Sequence, residues 1–470
     1  MISARRLFKT AKEPFGAMKR WTVILIVLAF AGQGLAQVKA PANVAPDERY
    51  KADILVVVAH PDDETEIAGY LARAIFDEHK RVAVIYGTRG NSGGNVEGRE
   101  QAASLGAVRE IEARRALARL GITSAWFLGG PDTPGQDVLR SLETWDHGAC
   151  LGQVVRLVRL TRPEVIITWL PDYVVGENHG DHQAASVIAN EAFDLAADPT
   201  AFPEQVAPPR NRTAVGNLTE GLHLWQPKKI YYFSDTSHPA FLKNRGPHYS
   251  ITEVSPSRHI PYNQIEAEEA TEHLTQYGVG HAAKDALAKG DLHALSAPIQ
   301  FVFGKSVVEC GETSDIFEGI SEGAIDFAGV PGYKPEPRTG LSLELGGPWG
   351  FYSLFWKAHG LTHLADLVAP EAAAGGDGIL NVPLVLRNDT DQDRSVALKA
   401  SVPGGWTDKS GSGVYQVRAH DWYPITAVIS ATSGRPDQSQ VVTWEAQCDG
   451  QAAGKVSLQV FPHQGGGLPQ

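Results

Sequence analysis

Ala52–Thr88 reads ADILVVVAHPDDETEIAGYLARAIFDEHKRVAVIYGT. Two apolar runs, ILVVV and VAVIY, flank a stretch with helical spacing of its apolar residues. Val and Ile without polar alternation fit a strand buried on both faces, and a helix between two such strands makes the crossover of a parallel pair. The same alternation continues through ASLGAVREIEARRALARLG, SAWFLG, LGQVVRLVRL, EVIITWL and HQAASVIANEAFDLAA, to about Ala197. The expected fold is α/β: a Rossmann-like three-layer domain with a mostly parallel sheet, ligands gathering outside the carboxyl ends of the strands.

A chain of 470 residues is too long for one core and implies two or three domains. Beyond Asp198 the pattern loosens into Pro-rich segments around PPRNRT, a strand-like KKIYYF and a helical stretch from Asn263 to Tyr277, all assigned to the same domain over 48–335. GVPGYKPEPRTG opens a linker over 336–369, because Pro and Gly prevent a regular element from continuing. From 370 to 466 short alternating runs such as ILNVPLVLRN, YPITAVISA and KVSLQVF, separated by turn residues, predict an Ig-like β-sandwich module.

A net charge of -12, with no Lys/Arg cluster outside the extreme N-terminus, excludes nucleic acid as a partner. Lys19 and Arg20, the apolar WTVILIVLAFAG and the small residues of Gly34-Leu35-Ala36 form the pattern of a signal peptide over 1–36, cleaved after Ala36. Met18 opens a more conventional signal than Met1. Arg5-Arg6 loosely matches a twin-arginine signal, ranked second because Pro14 and Gly16 separate the pair from the apolar run. The expectation is an exported protein, periplasmic or secreted, with no stable membrane span after signal removal. Cys150, Cys310 and Cys448 lack metal-site spacing and allow at most one disulfide, while Asn211, Asn217 and Asn388 begin glycosylation sequons.

The polar residues after ILVVV carry the chemistry. As a plain helix start, Pro61 suits a first turn and Asp62, Asp63 and Glu64 complement the helix dipole. That leaves His60 unexplained. A second cluster, PDYVVGENHGDHQAAS, follows EVIITWL and places His179, Asp181 and His182 between another strand end and helix start. Both clusters would face one cleft. His60 and Asp63, three apart, can converge on an ion that His182 completes; two His and one carboxylate suit a catalytic zinc with an open position, and iron(II) suits the same ligands.

These residues resemble the PIG-L or LmbE-like family of zinc-dependent N-deacetylases. Its His-Pro-Asp-Asp-Glu motif stands intact at His60 to Glu64, and its His-x-x-His with an internal Asp at His179 to His182. The resemblance extends through GTRGNSGG, Arg109 with Glu112, and TRPEVIITW. It covers most of 52–200 and thins beyond to WQPKKIYYF, His273 and Gln276. It implies His60, Asp63 and His182 as metal ligands, Asp62 as general base, and His179 facing the developing oxyanion. A carboxylate such as Asp181 would orient His179 and favour its charge.

Other residues carry two readings. Glu64 either caps the helix and supports the ligands or contacts substrate; Arg109 reaches sugar hydroxyls or pairs with Glu112 on one helix. Trp169 and Tyr173 stack on a sugar ring, with core packing the default for Trp169. GTRGNSGG lacks the spacing of a phosphate cradle and reads as a lid, and His273 reads as structural. The function so implied is an exported, metal-dependent hydrolase that removes acetyl from an N-acetylated amino sugar of N-acetylglucosamine type, in a glycan or glycoconjugate. The alternatives are an amidase on a larger acyl or thiol-conjugate amide and a non-catalytic glycan-binding protein.

Overall fold

In the computed structural model β1 (Ile54–Val58) is buried at all five positions, the environment its unbroken apolar run requires. The structure describes residues 45–171, 179–199, 201–206, 221–236, 239–321, 323–325, 338–358, 362–366, 369–375, 377–432 and 438–462. The expected signal segment 1–36, Tyr173, the sequons at Asn211 and Asn217 and parts of 336–369 lie outside the described residues. No helix among the described residues is long and apolar enough to cross a membrane.

After β1 come α1 (Ala68–Phe76), β2 (Val82–Thr88), α2 (Ala102–Arg119), β3 (Ser124–Gly130), α3 (Val138–Thr144), α4 (His147–Thr161), β4 (Val165–Trp169), α5 (Gly180–Leu195) and β5 (Lys229–Phe233). Short β6 (His248–Tyr249), α6 (Tyr262–Ala270), α7 (Ala282–Lys289), β7 (Ile299–Gln300) and β8 (Val302–Ser306) follow. The main sheet runs β3-β2-β1-β4-β5-β8. All its pairs are parallel except β5 with β8. Alternate residues of β1 point into separate apolar layers. Val56 and Val58 pack with Leu71 of α1, Leu117 of α2 and Ile265 of α6. Leu55 and Val57 pack with Val155 of α4 and Ile188 of α5. The chain winds from β1 out to β3 and then returns to β4 on β1's other side, so β1 and β4 flank the switch point where open α/β sheets bind ligands.

The helix expected over Asn263–Tyr277 stops at Ala270. Thr271 Oγ1 turns back onto the Glu268 carbonyl at 2.7 Å. The chain then folds so closely that a Cβ at Gly280 would lie 2.4 Å from the His273 carbonyl oxygen. Asp77 joins the two helices on this side: it follows α1 and accepts hydrogen bonds from Ser255 Oγ at 2.6 Å, Tyr262 Oη at 2.7 Å and the Ser257 N–H at 3.0 Å. Burial pulls its pKa upward, but these hydrogen bonds outweigh it and hold the carboxyl at about 2. A depressed folded-state pKa stabilises above the ordinary carboxylate range near 4 and ceases to do so as pH falls towards 2. Asp77→Asn is therefore expected to destabilise by about 1–2 kcal/mol at pH 7. In denaturant titrations the gap from wild type should close between pH 4 and pH 2; a gap independent of pH would contradict this.

The tail contains a five-stranded sheet, β10-β17-β16-β12-β14, and a four-stranded sheet, β13-β15-β11-β9. Their strands are β9 (Leu341–Leu345), β10 (Glu371–Ala373), β11 (Ile379–Asn388), β12 (Arg394–Ser401), β13 (Thr407–Ser410), β14 (Gly413–Val417), β15 (Asp421–Ser430), β16 (Gln440–Cys448) and β17 (Gln451–Phe461). Val382, Leu384, Val442, Leu458 and Trp444 fill the core between them, as expected of a sandwich.

The boundary differs from the expected one. The stretch expected as a linker over 336–369 contains β9, paired antiparallel with β11, and α8 (Gly347–Ala358). LSLEL is one short alternating run beside a Gly- and Pro-rich segment, and only its pairing with β11 makes it a strand. α8 seats against α4, where a Cβ on Gly148 would come 2.7 Å from Pro348. The three cysteines are free thiols, so the single disulfide allowed by the sequence is not formed. Asn388 is fully buried and donates to the carbonyls of Gln392, Val417 and Arg418, which leaves its amide no role as a glycan acceptor.

Candidate metal centre and catalytic cleft

β1 delivers the first polar cluster. After Val58 the chain turns at Pro61 and Asp62 into a short 3-10 turn, Asp63–Ile67, so the acids precede α1 rather than forming its first turn. Asp62 lies at φ 110°, a left-handed conformation that strains a residue with a Cβ. Three contacts hold it there: its N–H donates to Glu64 Oε2 at 3.0 Å, its carbonyl accepts Thr65 Oγ1 at 2.7 Å, and Arg109 Nη2 meets Asp62 Oδ1 at 3.1 Å. Strain stored under such constraint is characteristic of functional positions.

β4 delivers the second cluster at α5, whose N-cap is His179. The structure brings His60, Asp63 and His182 together. His60 Nδ1 lies 3.2 Å from His182 Nε2 and 3.7 Å from Asp63 Oδ1, and His182 Nε2 lies 3.4 Å from the same oxygen. A tetrahedral ion with nitrogen and oxygen ligands at about 2.0–2.2 Å spaces its donors roughly 3.3–3.6 Å apart, so the set fits zinc or a similar divalent ion. The supporting bonds agree. Asp63 Oδ2 accepts the N–H groups of Ala59 and His60, both at 2.9 Å, and Trp169 Nε1 at 2.7 Å, which leaves Oδ1 for a cation. Burial opposes charge on His60, yet Asp181 and Asp63 raise its pKa to about 10, while the neighbouring imidazoles hold Asp63 well below the usual range despite its burial. Positive charge is favoured at this point.

Two further groups fall within ligand range. In His60, His179 and Asp181, the Asp181 carboxylate is already committed: Oδ2 accepts the Thr133 N–H at 2.9 Å and Oδ1 accepts its hydroxyl. Glu64, Glu269 and His273 are fully buried and lie outside the cleft lining.

A cleft of about 400 Å³ opens over the first set, lined among others by His60, Asp62, Arg109, Asp132, Thr133 and His179. Asp62 stands in its wall with its carboxyl pKa raised by burial, against the opposing charge of Arg109. His179 Nδ1 accepts the Asp181 N–H at 3.2 Å, which puts the ring proton on Nε2. Asp181 was expected to orient His179, but its Oδ2 lies 3.7 Å from His179 Nδ1 and 3.3 Å from His60 Nε2. It holds the His60 ring instead, because Thr133 fixes the carboxylate on that side. Burial raises the Asp181 pKa, but the bonds from His60, Thr133 and Ser141 bring it to about 2.

Glu64 does not meet the cleft: it is fully buried, and Oε1 contacts His273 Nε2 at 3.1 Å. Its substrate-contact reading is thereby replaced by support of Asp62, with His273 a structural partner. Arg109 does line the cleft, bonded to the carbonyls of Pro61 at 2.5 Å and Gly90 at 3.1 Å. Glu112 accepts from Thr275 rather than pairing with Arg109. A Cβ at Gly90, where φ is 67°, would lie 2.3 Å from that guanidinium, so GTRGNSGG needs glycine there. This loop forms a wall of the cleft, tied by Ser92 N–H to Asp132 and by Gln276 to the Gly94 carbonyl.

Trp169 stacks on His182 with centroids 4.0 Å apart and planes 4° from parallel, its other contacts including Phe233. It packs against His182 and donates to Asp63 Oδ2, in keeping with core packing, rather than offering an open face to a sugar. Trp169→Phe, which removes the N–H on Asp63, is expected to weaken metal binding about 10- to 100-fold. Competition against a chromophoric chelator measures this, and unchanged affinity would refute the role. Sequence reasoning missed Asp132, Thr133, Glu66 and Asp235 in the cleft. Asp132, Thr133 and Asp235 follow strand ends, the position that the parallel-sheet rule marks.

Comparison with known proteins agrees with the motifs. Residues 55–193 match the PIG-L family, described as GlcNAc-PI de-N-acetylase. A 1D-myo-inositol 2-acetamido-2-deoxy-alpha-D-glucopyranoside deacetylase of Geodermatophilus obscurus is 34% identical over 166 residues, 32% of this chain and 56% of that protein. The protein of that name from Streptomyces avermitilis is 33% identical over 178 residues, 35% of this chain and 58% of its own length. The chain thus spans a little over half the length of these curated relatives. A solved N,N'-diacetylchitobiose deacetylase from Pyrococcus horikoshii is similar at 15% identity and a TM-score of 0.33, over 61% of this chain and 94% of its own. Residues 55–193 of this chain, from β1 through most of α5, are a domain of the PIG-L family.

Proposed function

We propose that the protein is an exported metal-dependent hydrolase that removes the acetyl group from an N-acetylated amino sugar of N-acetylglucosamine type, borne on a glycan or glycoconjugate. The observation that carries this reading is the convergence of His60 Nδ1, Asp63 Oδ1 and His182 Nε2 within 3.7 Å of one another, beside Asp62 in an open cleft. The relatives that match the domain act, by name, on an acetamido sugar, which supports the substrate class. The N-terminal signal pattern supports export.

His60, Asp63 and His182 would hold a divalent ion, zinc or iron(II), which would supply Lewis acidity towards an amide carbonyl and a water near neutral pH. Asp62 accepts the proton of the attacking water; its burial-raised pKa suits a base better than an ordinary carboxylate does. Arg109 fixes Asp62 Oδ1 and keeps the carboxylate in one orientation. His179, bonded at Nδ1, presents its Nε2–H to the oxyanion, and the proton that Asp62 has accepted passes to the departing amine. Asp181, held by Thr133, meets His60 Nε2 and leaves its Nδ1 facing Asp63 and His182.

The test is acetate release from N,N'-diacetylchitobiose and a methyl N-acetylglucosaminide by purified protein, before and after chelation and with one equivalent of zinc or iron(II) restored. Activity should vanish with the metal and return with it. Metal-loaded protein that releases acetate from neither would sink the reading.

A further inference from the structure

The cleft does not end at the metal ligands. A cavity of about 720 Å³ adjoins it, and Thr65, Glu66, Asp235 and Val279 line both. Glu66 reaches open space there although protein surrounds it, and burial followed by the Asp235 charge raises its pKa to about 7.

Away from these shared residues the lining is mostly apolar, with Ser234, Thr236 and Gln300 among its polar members. Ile67, Phe233, Leu242 and Ile251 line one side, and α7 contributes Ala283 and Ala286, side chains too small to fill the space. The one carboxyl of this inner wall, Glu266, accepts the Gly69 N–H at 2.9 Å, and burial raises its pKa to about 8. It is therefore largely neutral at pH 7, and the chamber carries little charge. A Cβ at Gly69 would lie 2.7 Å from Glu266 Oε2 and 2.8 Å from Ile251, so the glycine lets this wall close.

An acetyl group has a single methyl and needs no such chamber. The chamber's volume lies within the roughly 300–1,000 Å³ typical of small-molecule sites, and a mostly apolar lining beside the polar cleft suits an amphiphile with its polar end at the reacting centre. We infer that this chamber binds an aliphatic arm of the substrate, carried on the acyl group of the amide or on the glycosidic oxygen of the amino sugar. The inference rests on the reading of the cleft as an amide hydrolase site for amino sugars.

Two substrate series test it with the full-length, metal-loaded protein: N-acyl glucosamines from acetyl to decanoyl, and alkyl N-acetylglucosaminides from methyl to decyl. Each methylene buried should raise kcat/KM about three- to fourfold over the first several carbons. The rise should appear in one series and not the other, which identifies the side that bears the arm. Ala286→Phe, or Ala283→Phe should the first variant fail to fold, should flatten that slope while leaving the acetyl and methyl substrates within about twofold. Flat series in the wild type, or a slope that survives both variants, would overturn the inference.

Calorimetric titration with N-octanoyl glucosamine, octyl N-acetylglucosaminide and methyl N-acetylglucosaminide gives a reading independent of turnover. An octyl or octanoyl ligand that binds tighter than the methyl one and loses the advantage in Ala286→Phe supports the chamber, and equal affinities refute it. Absence of turnover in both series counts against the hydrolase reading alone.

Discussion

Asp62→Asn is expected to lower kcat by about 10²- to 10⁴-fold while leaving the metal content of the protein unchanged. The substitution removes the base but keeps the shape: an Asn Oδ1 still accepts from Arg109, and the three donor atoms on His60, Asp63 and His182 are untouched. Asn also tolerates a positive φ better than most residues, so the strained backbone at φ 110° should persist without loss of fold. Asp62→Gly adds a second control: it relieves backbone strain of about 1 kcal/mol or more but leaves the buried Arg109 without its carboxylate, while abolishing the same proton transfer. Acetate release and metal analysis on both variants decide the matter. Asp62→Asn turning over within tenfold of wild type, with metal bound, would remove Asp62 from the role of base.

Arg159→Met is expected to cost about 3–5 kcal/mol of stability and roughly 10 °C in Tm, the largest effect of any single change remote from the cleft. Arg159 is fully buried in α4 and donates to the carbonyls of Leu195, Ala196, Asp198, Ala201 and Phe202 and to Gln205 Oε1, at 2.7–3.4 Å. These acceptors include the end of α5 and the loop after it. A guanidinium there satisfies terminal carbonyls and complements the negative end of the helix dipole. Methionine keeps the stem but strands the acceptors, each costing about 1–3 kcal/mol before relaxation. Scanning calorimetry and denaturant titration measure the loss. A variant within about 1 kcal/mol of wild type would mean that water or a shifted loop replaces the guanidinium.

Arg159 also marks where sequence reading stops. VVRLVRL gives a helix with charged residues spaced along it, and nothing local distinguishes the fully buried arginine from the half-buried one, because the acceptors of Arg159 lie some 40 positions away. The sheet was legible for the opposite reason: ILVVV and VIITW are buried at every position, so a local pattern carries the tertiary environment directly. The convergence of His60, Asp63 and His182 was legible because both halves sit at strand ends, where topology alone puts side chains that are about 120 positions apart into contact. The partners of Glu64 and Asp181 were not: His273 and the Asp62 N–H in one case, where support rather than substrate contact was one of two open readings, and Thr133 in the other. Tyr173 lies outside the described residues.

The strand β9 has a consequence for how the tail can be moved between proteins. It comes before α8 in the chain yet completes the sheet of β11, with Leu343 opposite Leu386. A fragment begun at 370 would lack that strand, bare the edge of β11 and lose Leu343 from the core. A fragment begun at Leu341 keeps the sheet whole and brings α8 with it, the surface that fits α4. A fragment meant to keep this sheet intact must therefore start no later than Leu341, and α8 comes with it.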